Sequence, residues 1–134
     1  HKPNNRFVAT FIGETNMLVM KVKSIDAKIV TVESEHGLVL RGLTSNFEKH
    51  TIATVGETIY VSIRPEGFQT RPGDNTIKGN IEFVEFTGLS VNYIVNVDGI
   101  LLKAMIINAG STVKQVGDEI ELHIPPRNLY FLGE

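Results

Sequence analysis

The stretch Val55-Gly56-Glu57-Thr58-Ile59-Tyr60-Val61-Ser62-Ile63-Arg64-Pro65-Glu66 decides the fold, because it returns in altered form between Val116 and Pro126. Val55-Gly56-Glu57 answers to Val116-Gly117-Asp118, Ile59 to Ile120, Ile63 to Ile124 and Pro65 to Pro126, every pair 61 residues apart. In each copy a Gly supplies a turn in which positive φ carries no steric cost. An acidic residue follows, and apolar residues then take every second position until a Pro ends the ladder. That pattern describes a strand opening from a turn. A second echo lies at an offset of 62, where Glu35-His36-Gly37-Leu38 and Val97-Asp98-Gly99-Ile100 both read as hairpin turns between apolar runs. The chain therefore reads as two copies of one β unit of about sixty residues.

Composition narrows what such units can do. A chain of 134 residues fits one ordinary domain or two small subdomains sharing a core. At this length roughly two thirds of the unfolded surface is buried, enough to fold without disulfide or metal. The absence of Cys excludes a disulfide framework and thiolate zinc sites. A formal net charge of −2, with both signs interspersed, leaves no positive field to track phosphates, which disfavours nucleic-acid binding. No apolar run reaches the roughly eighteen residues of a membrane-spanning helix, and the N-terminus carries no signal-peptide core. The expectation is a soluble piece of a longer chain, since it begins at His1.

Taken in order, Asn4 or Asn5 can cap a short helix whose apolar positions are Phe7, Val8, Phe11 and Ile12, with Gly13 placed to end it. A helix this short is marginal alone, so its apolar face needs a partner. From Asn16 the period changes to two. Leu18, Met20 and Val22 alternate with Val19, Lys21 and Lys23; Ile29 to Val32, Leu38 to Arg41 and the organising strand follow. Gly67 to Asn80, with Pro72-Gly73-Asp74-Asn75, is the longest turn-rich stretch and reads as the link between units. The second unit runs through Ile81 to Phe86, Tyr93 to Val97, Ile100 to Ile107 and Glu119 to Ile124. The fold class is all-β: tandem OB-like small barrels with a short N-terminal helix, since closing short strands into barrels removes exposed edges. The divisions are 1–13 for the helix, 14–70 for the first subdomain and 71–134 for the second, which can return a strand to the first.

Arg6-Phe7-Val8-Ala9-x-Phe11-Ile12-Gly13-Glu14-x-Asn16, with Ser62-Ile63-Arg64-Pro65-Glu66 some fifty residues on, resembles the C-terminal region of ATP-binding subunits of bacterial ABC importers of the polyamine, ferric-iron and maltose types. Gly88, Tyr93, Val95, Val97 and Gly99 resemble the second part of that region, called TOBE. The resemblance implies a regulatory and dimerising module that follows a nucleotide-binding domain and works with a permease at the inner face of the plasma membrane. It implies a homodimer of ATPase subunits, and ATP and Mg as cofactors of the parent chain. This sequence has no Gly-x-x-x-x-Gly-Lys-Ser/Thr loop, so the fragment itself is expected neither to bind nor to hydrolyse ATP.

The candidate interface or regulatory residues are Phe7, Phe11, Asn16, Arg64, Pro65 and Glu66. Pro65 ends a strand between two charges that a barrel rim could present, against the alternative that they are merely solvated. Glu14, Thr15 and Asn16 stand where helix becomes barrel, and an Asn there can tether the two by side-chain hydrogen bonds. His1, His36, His50 and His123 have no metal-ligand spacing, which points to solvated or packing roles and no metal. No nucleophile motif or paired carboxylates appear. Seven Phe and three Tyr are not interleaved with basic residues and read as core rather than as a base-stacking surface. A second reading is an oxyanion sensor of the molybdate-binding tandem-barrel kind, with donors from Ser90, Asn92 or Ser111-Thr112.

Overall fold

The computed structural model describes residues 15–49, 53–107 and 113–133; the expected helix over 1–13, with Phe7 and Phe11, lies outside the described residues. In the first unit, β1 (Asn16–Asp26), β2 (Ile29–Glu33), β3 (Val39–Leu43) and β4 (Thr58–Ile63) are followed by a 3-10 turn at Pro65–Gly67. In the second, β5 (Thr76–Thr87), β6 (Ser90–Val97), β7 (Ile100–Ile107) and β8 (Glu119–His123) are followed by a 3-10 turn at Pro126–Asn128 and then β9 (Tyr130–Leu132). One antiparallel sheet has the order β3-β2-β1-β4-β9 and the other β7-β6-β5-β8. The all-β reading holds, and the echoed stretches hold equivalent strands: Ile59 to Ile63 lie in β4, and β8 contains Ile120 and stops one residue short of Ile124.

Period-two patterning does the sorting. Leu18, Met20 and Val22 of β1 are buried, as are Ile59, Val61 and Ile63 of β4 and Val91, Tyr93, Val95 and Val97 of β6. The buried apolar residues of both sheets form one cluster. In each unit the long first strand loses its register at a bulge, between Val22 and Ser24 in β1 and between Ile81 and Phe83 in β5. An extra residue there bends and twists the strand, which lets a sheet curl.

The Val-Gly-acid motif is explained by what it bonds to. Gly56 and Gly117 both sit at φ +94°. The Gly56 N–H donates to the Val22 carbonyl at 2.7 Å and the Gly117 N–H to the Ile81 carbonyl at 2.8 Å. The returning N–H groups of Val22 and Ile81 donate to the carbonyls of Glu57 and Asp118. The acidic side chains close each turn, Glu57 accepting from the Thr54 N–H at 2.9 Å and Asp118 from the Gln115 N–H at 2.8 Å. Gly, acid and alternating strand form one device, used twice.

The stretch from Gly67 to Asn80 differs from its reading as a link. Gly67 and Phe68 are buried, Gln69 bridges His123 of β8, and β5 already begins at Thr76. Only about half the stretch is turn, because Ile77 and Gly79 face the core in alternation with Thr76, Lys78 and Asn80. At the other end β9 pairs with β4 through Tyr60, Val61 and Ser62. The chain just beyond β3 then meets β9: Phe47 bridges Phe131, and the Glu48 N–H donates to the Phe131 carbonyl at 2.8 Å. The first sheet is thereby closed into a barrel.

Phe131 is fully buried, with its ring centroid 5.0 Å from that of Phe47. Its ring occupies the space left by the missing side chain of Gly42, where a Cβ would come within 2.5 Å of Cζ. A buried ring cannot yield that distance without moving the strand. Gly42→Ala is therefore expected to destabilise the protein by about 1–3 kcal/mol, read from the midpoint of urea unfolding at unchanged slope. An unchanged midpoint would mean that Phe131 is not packed against β3.

Candidate functional site

Where the two units meet, one constellation occurs twice. Asn16, at the start of β1, is wholly buried. Its Nδ2 donates to the carbonyls of Ile63 and Lys103, each at 2.9 Å, while its Oδ1 accepts from the Lys103 N–H at 2.8 Å. Asn75, just before β5, sits at φ +56°, a left-handed conformation that Asn tolerates better than most residues. Its Nδ2 donates to the carbonyls of Ile124 at 2.9 Å and Arg41 at 2.8 Å, and its Oδ1 accepts from the Arg41 N–H at 2.7 Å. Ile63 and Ile124 are equivalent in the repeat, and Arg41 of β3 and Lys103 of β7 correspond at the 62-residue offset.

The exchange is reciprocal. An Asn of the first unit clasps an outer strand of the second sheet, and an Asn of the second unit clasps an outer strand of the first. A carboxamide offers one donor side and one acceptor side, so it pairs with both backbone groups of a single residue as a neighbouring strand would. Each clasp thus satisfies an N–H and a C=O that an edge strand otherwise presents to solvent. Thr15 adds a hydroxyl contact to Ser62, with Oγ atoms 2.6 Å apart. The 3-10 turns join in: Asn128 Nδ2 donates to the Gly67 carbonyl at 3.2 Å, and Asn46 Nδ2 donates to the carbonyls of Arg127 and Leu129 at 2.8 and 2.9 Å.

The sequence candidates fall in different places. Asn16 is a tether, and its partner across the units is the Lys103 backbone. Arg64 and Glu66 are exposed on either side of half-buried Pro65, and this turn packs against β7. The structure brings Asn16 and the Arg64-Pro65-Glu66 turn to the same junction, since Asn16 binds the carbonyl of Ile63 immediately before that turn. Ser90 is buried and its hydroxyl is engaged by Thr87, with Oγ1 and Oγ 2.6 Å apart. Asn92 Oδ1 is buried with no hydrogen-bond partner among the described residues. Glu14, Ser111 and Thr112 lie outside the described residues. His36 is exposed in its turn, whereas His123 packs: its Nδ1 lies 3.1 Å from the Gly73 carbonyl and its Nε2 2.9 Å from Glu121 Oε2. Among the described residues no three His, Cys, Asp or Glu gather as a metal site.

Sequence reasoning missed Asn75, which sits among turn residues that explain themselves without a distant partner. The available signal was its place 49 residues before Ile124, close to the 47 by which Asn16 precedes Ile63.

Comparison with known proteins fits this architecture. The TOBE domain family matches residues 61–132, more than half of the chain, and the chain belongs to that family. It is similar to the spermidine/putrescine import ATP-binding protein PotA of Roseobacter denitrificans, 37% identical over 101 residues, covering 73% of this chain and 26% of that protein. PotA of Rubrobacter xylanophilus is 33% identical over 94 residues, covering 69% and 24%. The maltose/maltodextrin import ATP-binding protein MalK of Photobacterium profundum is 27% identical over 128 residues, covering 93% and 34%. The chain thus spans about a quarter to a third of the length of these relatives. Among solved structures, the cytoplasmic molybdate-binding protein ModG with molybdate bound superposes with a TM-score of 0.73 at 15% identity, over 90% of this chain and 96% of that one, a likeness of fold alone. The resemblance read from the sequence therefore holds: this is a TOBE domain related to importer ATP-binding subunits.

Asn16→Ala strands an N–H and two carbonyls at a buried junction and is expected to cost about 2–3 kcal/mol. Asn75→Gly keeps the left-handed backbone accessible and breaks a more exposed clasp, for about 1 kcal/mol. Paired urea titrations measure both, and equal losses below about 0.5 kcal/mol would show that the clasps do not hold the units together.

Proposed function

We propose that this chain is the regulatory region of the ATP-binding subunit of a bacterial importer, joined to a nucleotide-binding domain in the parent chain. In this reading the parent binds ATP and Mg, works as a homodimer with membrane permease subunits at the inner face of the plasma membrane, and moves a polyamine, iron or a sugar. The region itself contributes position and contact. The observation that carries the reading is the family match over 61–132, together with relatives of which this chain corresponds to about a quarter to a third. A rigid double barrel with interlocked units suits that role, because a displacement at one face is carried to the other as a body. Arg64 and Glu66 are exposed charges beside the junction and the contact candidates in this reading. Among the described residues, no helix is long and apolar enough to cross a membrane.

The test uses the parent subunit with its permease. Arg64→Glu and Glu66→Arg should leave the fold and basal ATP turnover of the parent in place while reducing solute-dependent uptake several-fold. Unchanged uptake in both variants would remove this turn from the coupling path. A second reading, an oxyanion sensor, is favoured by the fold shared with ModG. Here the Ser90 hydroxyl is already engaged by Thr87, which withdraws one of its candidate donors. Thermal unfolding of the chain with molybdate or sulfate separates the readings. Oxyanion binding at 100 times the dissociation constant adds about 2.7 kcal/mol, whereas the regulatory reading expects no shift.

A further inference from the structure

The two sheets differ in what lies along the last strand of each repeat. In the first, β9 runs antiparallel to β4, with Ser62 opposite Tyr130, Val61 opposite Phe131 and Tyr60 opposite Leu132. The 61-residue offset carries β4 onto β8 and Tyr130-Phe131-Leu132 onto Gln69-Thr70-Arg71. Only the first rung of that equivalent ladder is built: Gln69 and His123 exchange both backbone hydrogen bonds, each at 2.8 Å. The chain then bends away at Thr70, with Gln69 Nε2 donating to the Arg71 carbonyl at 3.2 Å. Connectivity is the reason. Gln69 lies on one side of His123 and Thr76 on the other, with only residues 70–75 between them and Asn75 committed to Arg41. So short a loop can round the end of β8 but cannot run along it and return.

β8 is therefore left with an open side. Backbone groups alternate along a strand, so Ile120 and Leu122 turn theirs to β5 while Glu119 and Glu121 turn theirs the other way, as His123 does to Gln69. Among the described residues, the N–H and C=O of Glu119 and Glu121 have no partner on that side. The core does not ask for a closing strand here. In the first sheet Phe131 of β9 fills the hollow over Gly42, which stands opposite Val30. In the second, Ala104 takes the place of Gly42 and stands opposite Tyr93, a ring supplied by the sheet itself. Tyr93 is buried, and its hydroxyl accepts from the Lys114 N–H at 3.1 Å. The interior is filled and only the strand edge is open.

We propose that the free side of β8 receives an extended segment of a partner protein with Lys or Arg at alternate positions around a small residue. The form of the occupant is the one β9 shows on β4, an antiparallel strand added through main-chain hydrogen bonds. Its charge follows from β8. Glu119 and Glu121 are exposed on one face, whereas Ile120 and Leu122 are buried on the other. A basic residue directly opposite an acid in such a ladder is stabilising and an acidic one destabilising. The residue between the two basic ones points inward against a filled core and has to be small. The chain's own Gln69-Thr70-Arg71 follows the same pattern, with Thr70 where β9 has Phe131 and Arg71 in register with Glu121. β9 of a second copy does not fit, since Phe131 would need the hollow that Tyr93 takes. The proposal holds whatever the parent chain transports.

The test titrates the end-blocked peptide Thr-Arg-Ala-Lys-Thr into the isotope-labelled chain and follows backbone amides by NMR. The Glu119 and Glu121 amides should shift, and their hydrogen exchange should slow as the peptide binds. Methylating the backbone nitrogens of the peptide's Arg and Lys, whose N–H groups would face β8, should weaken binding about tenfold or more through lost hydrogen bonds. Methylating the Ala nitrogen, which would face away, should not. Glu119→Lys, at an exposed position, should weaken the same peptide and favour Thr-Glu-Ala-Glu-Thr in its place. No binding, or equal binding by all the methylated forms, would overturn the proposal, the latter by reducing it to attraction between charges. Glu119 and Glu121 amides already slow to exchange in the free chain at every concentration would overturn it too, because the edge would be covered from within. Protection that falls on dilution would give the edge to a second copy and exclude the partner segment.

Discussion

The structure depends on how two β units, each leaving an outer strand unsatisfied, solve that problem for one another. The N–H and C=O of Lys103 in β7 and of Arg41 in β3 would stand open at sheet margins, and an unpaired margin invites pairing with other chains. Asn16 and Asn75 each place a carboxamide there, matching donor to acceptor and acceptor to donor. Because each Asn belongs to the unit opposite the strand it covers, neither margin is closed unless both units are in place. Strand exchange compounds the effect. β9 completes the first sheet from the end of the chain, and Gln69, from the end of the first unit, bridges β8 in the second.

This arrangement explains why the repeat is strict in some places and loose in others. Ile63 and Ile124 and the Pro-led 3-10 turns recur at 61 residues because each presents the same backbone groups to a shared junction, and Gly56 and Gly117 recur because each ties the turn to the first strand of its own unit, at Val22 or Ile81. The outward rows are under no such constraint, so Ser24 and Thr31 can stand where the second unit has Phe83 and Ile94. A duplicated fold keeps its junction alike and lets its surfaces diverge, and divergent surfaces are where partners are chosen.

The part legible in the sequence was the part carried by local rules. A Gly, an acid and a period of two are each read within a dozen residues, and Val55 to Ile63 and Val116 to Ile124 contain all three. Asn16 was legible as a tether because it stands where one period gives way to another. Its acceptors were not, since Lys103 is 87 residues away and is bound through its backbone, which carries no sequence signal. Asn75 was hidden by its own suitability for a turn. β9 has three residues, too few to show alternation, and its position rests on Phe131 finding the hollow over Gly42. The exposed pair Arg64 and Glu66 could be named but not given a partner, because the contacts of surface charges are set by molecules outside the chain.

If the two units close each other's margins, neither can open alone. Native-state hydrogen exchange, followed residue by residue through β1, β4, β5 and β8 with increasing sub-denaturing urea, tests this directly. The slowest amides of both sheets should merge onto one opening with a single free energy and a slope matching global unfolding. Protection lost from one sheet at lower free energy, while the other stays closed, would contradict the interlock and make the units independent neighbours.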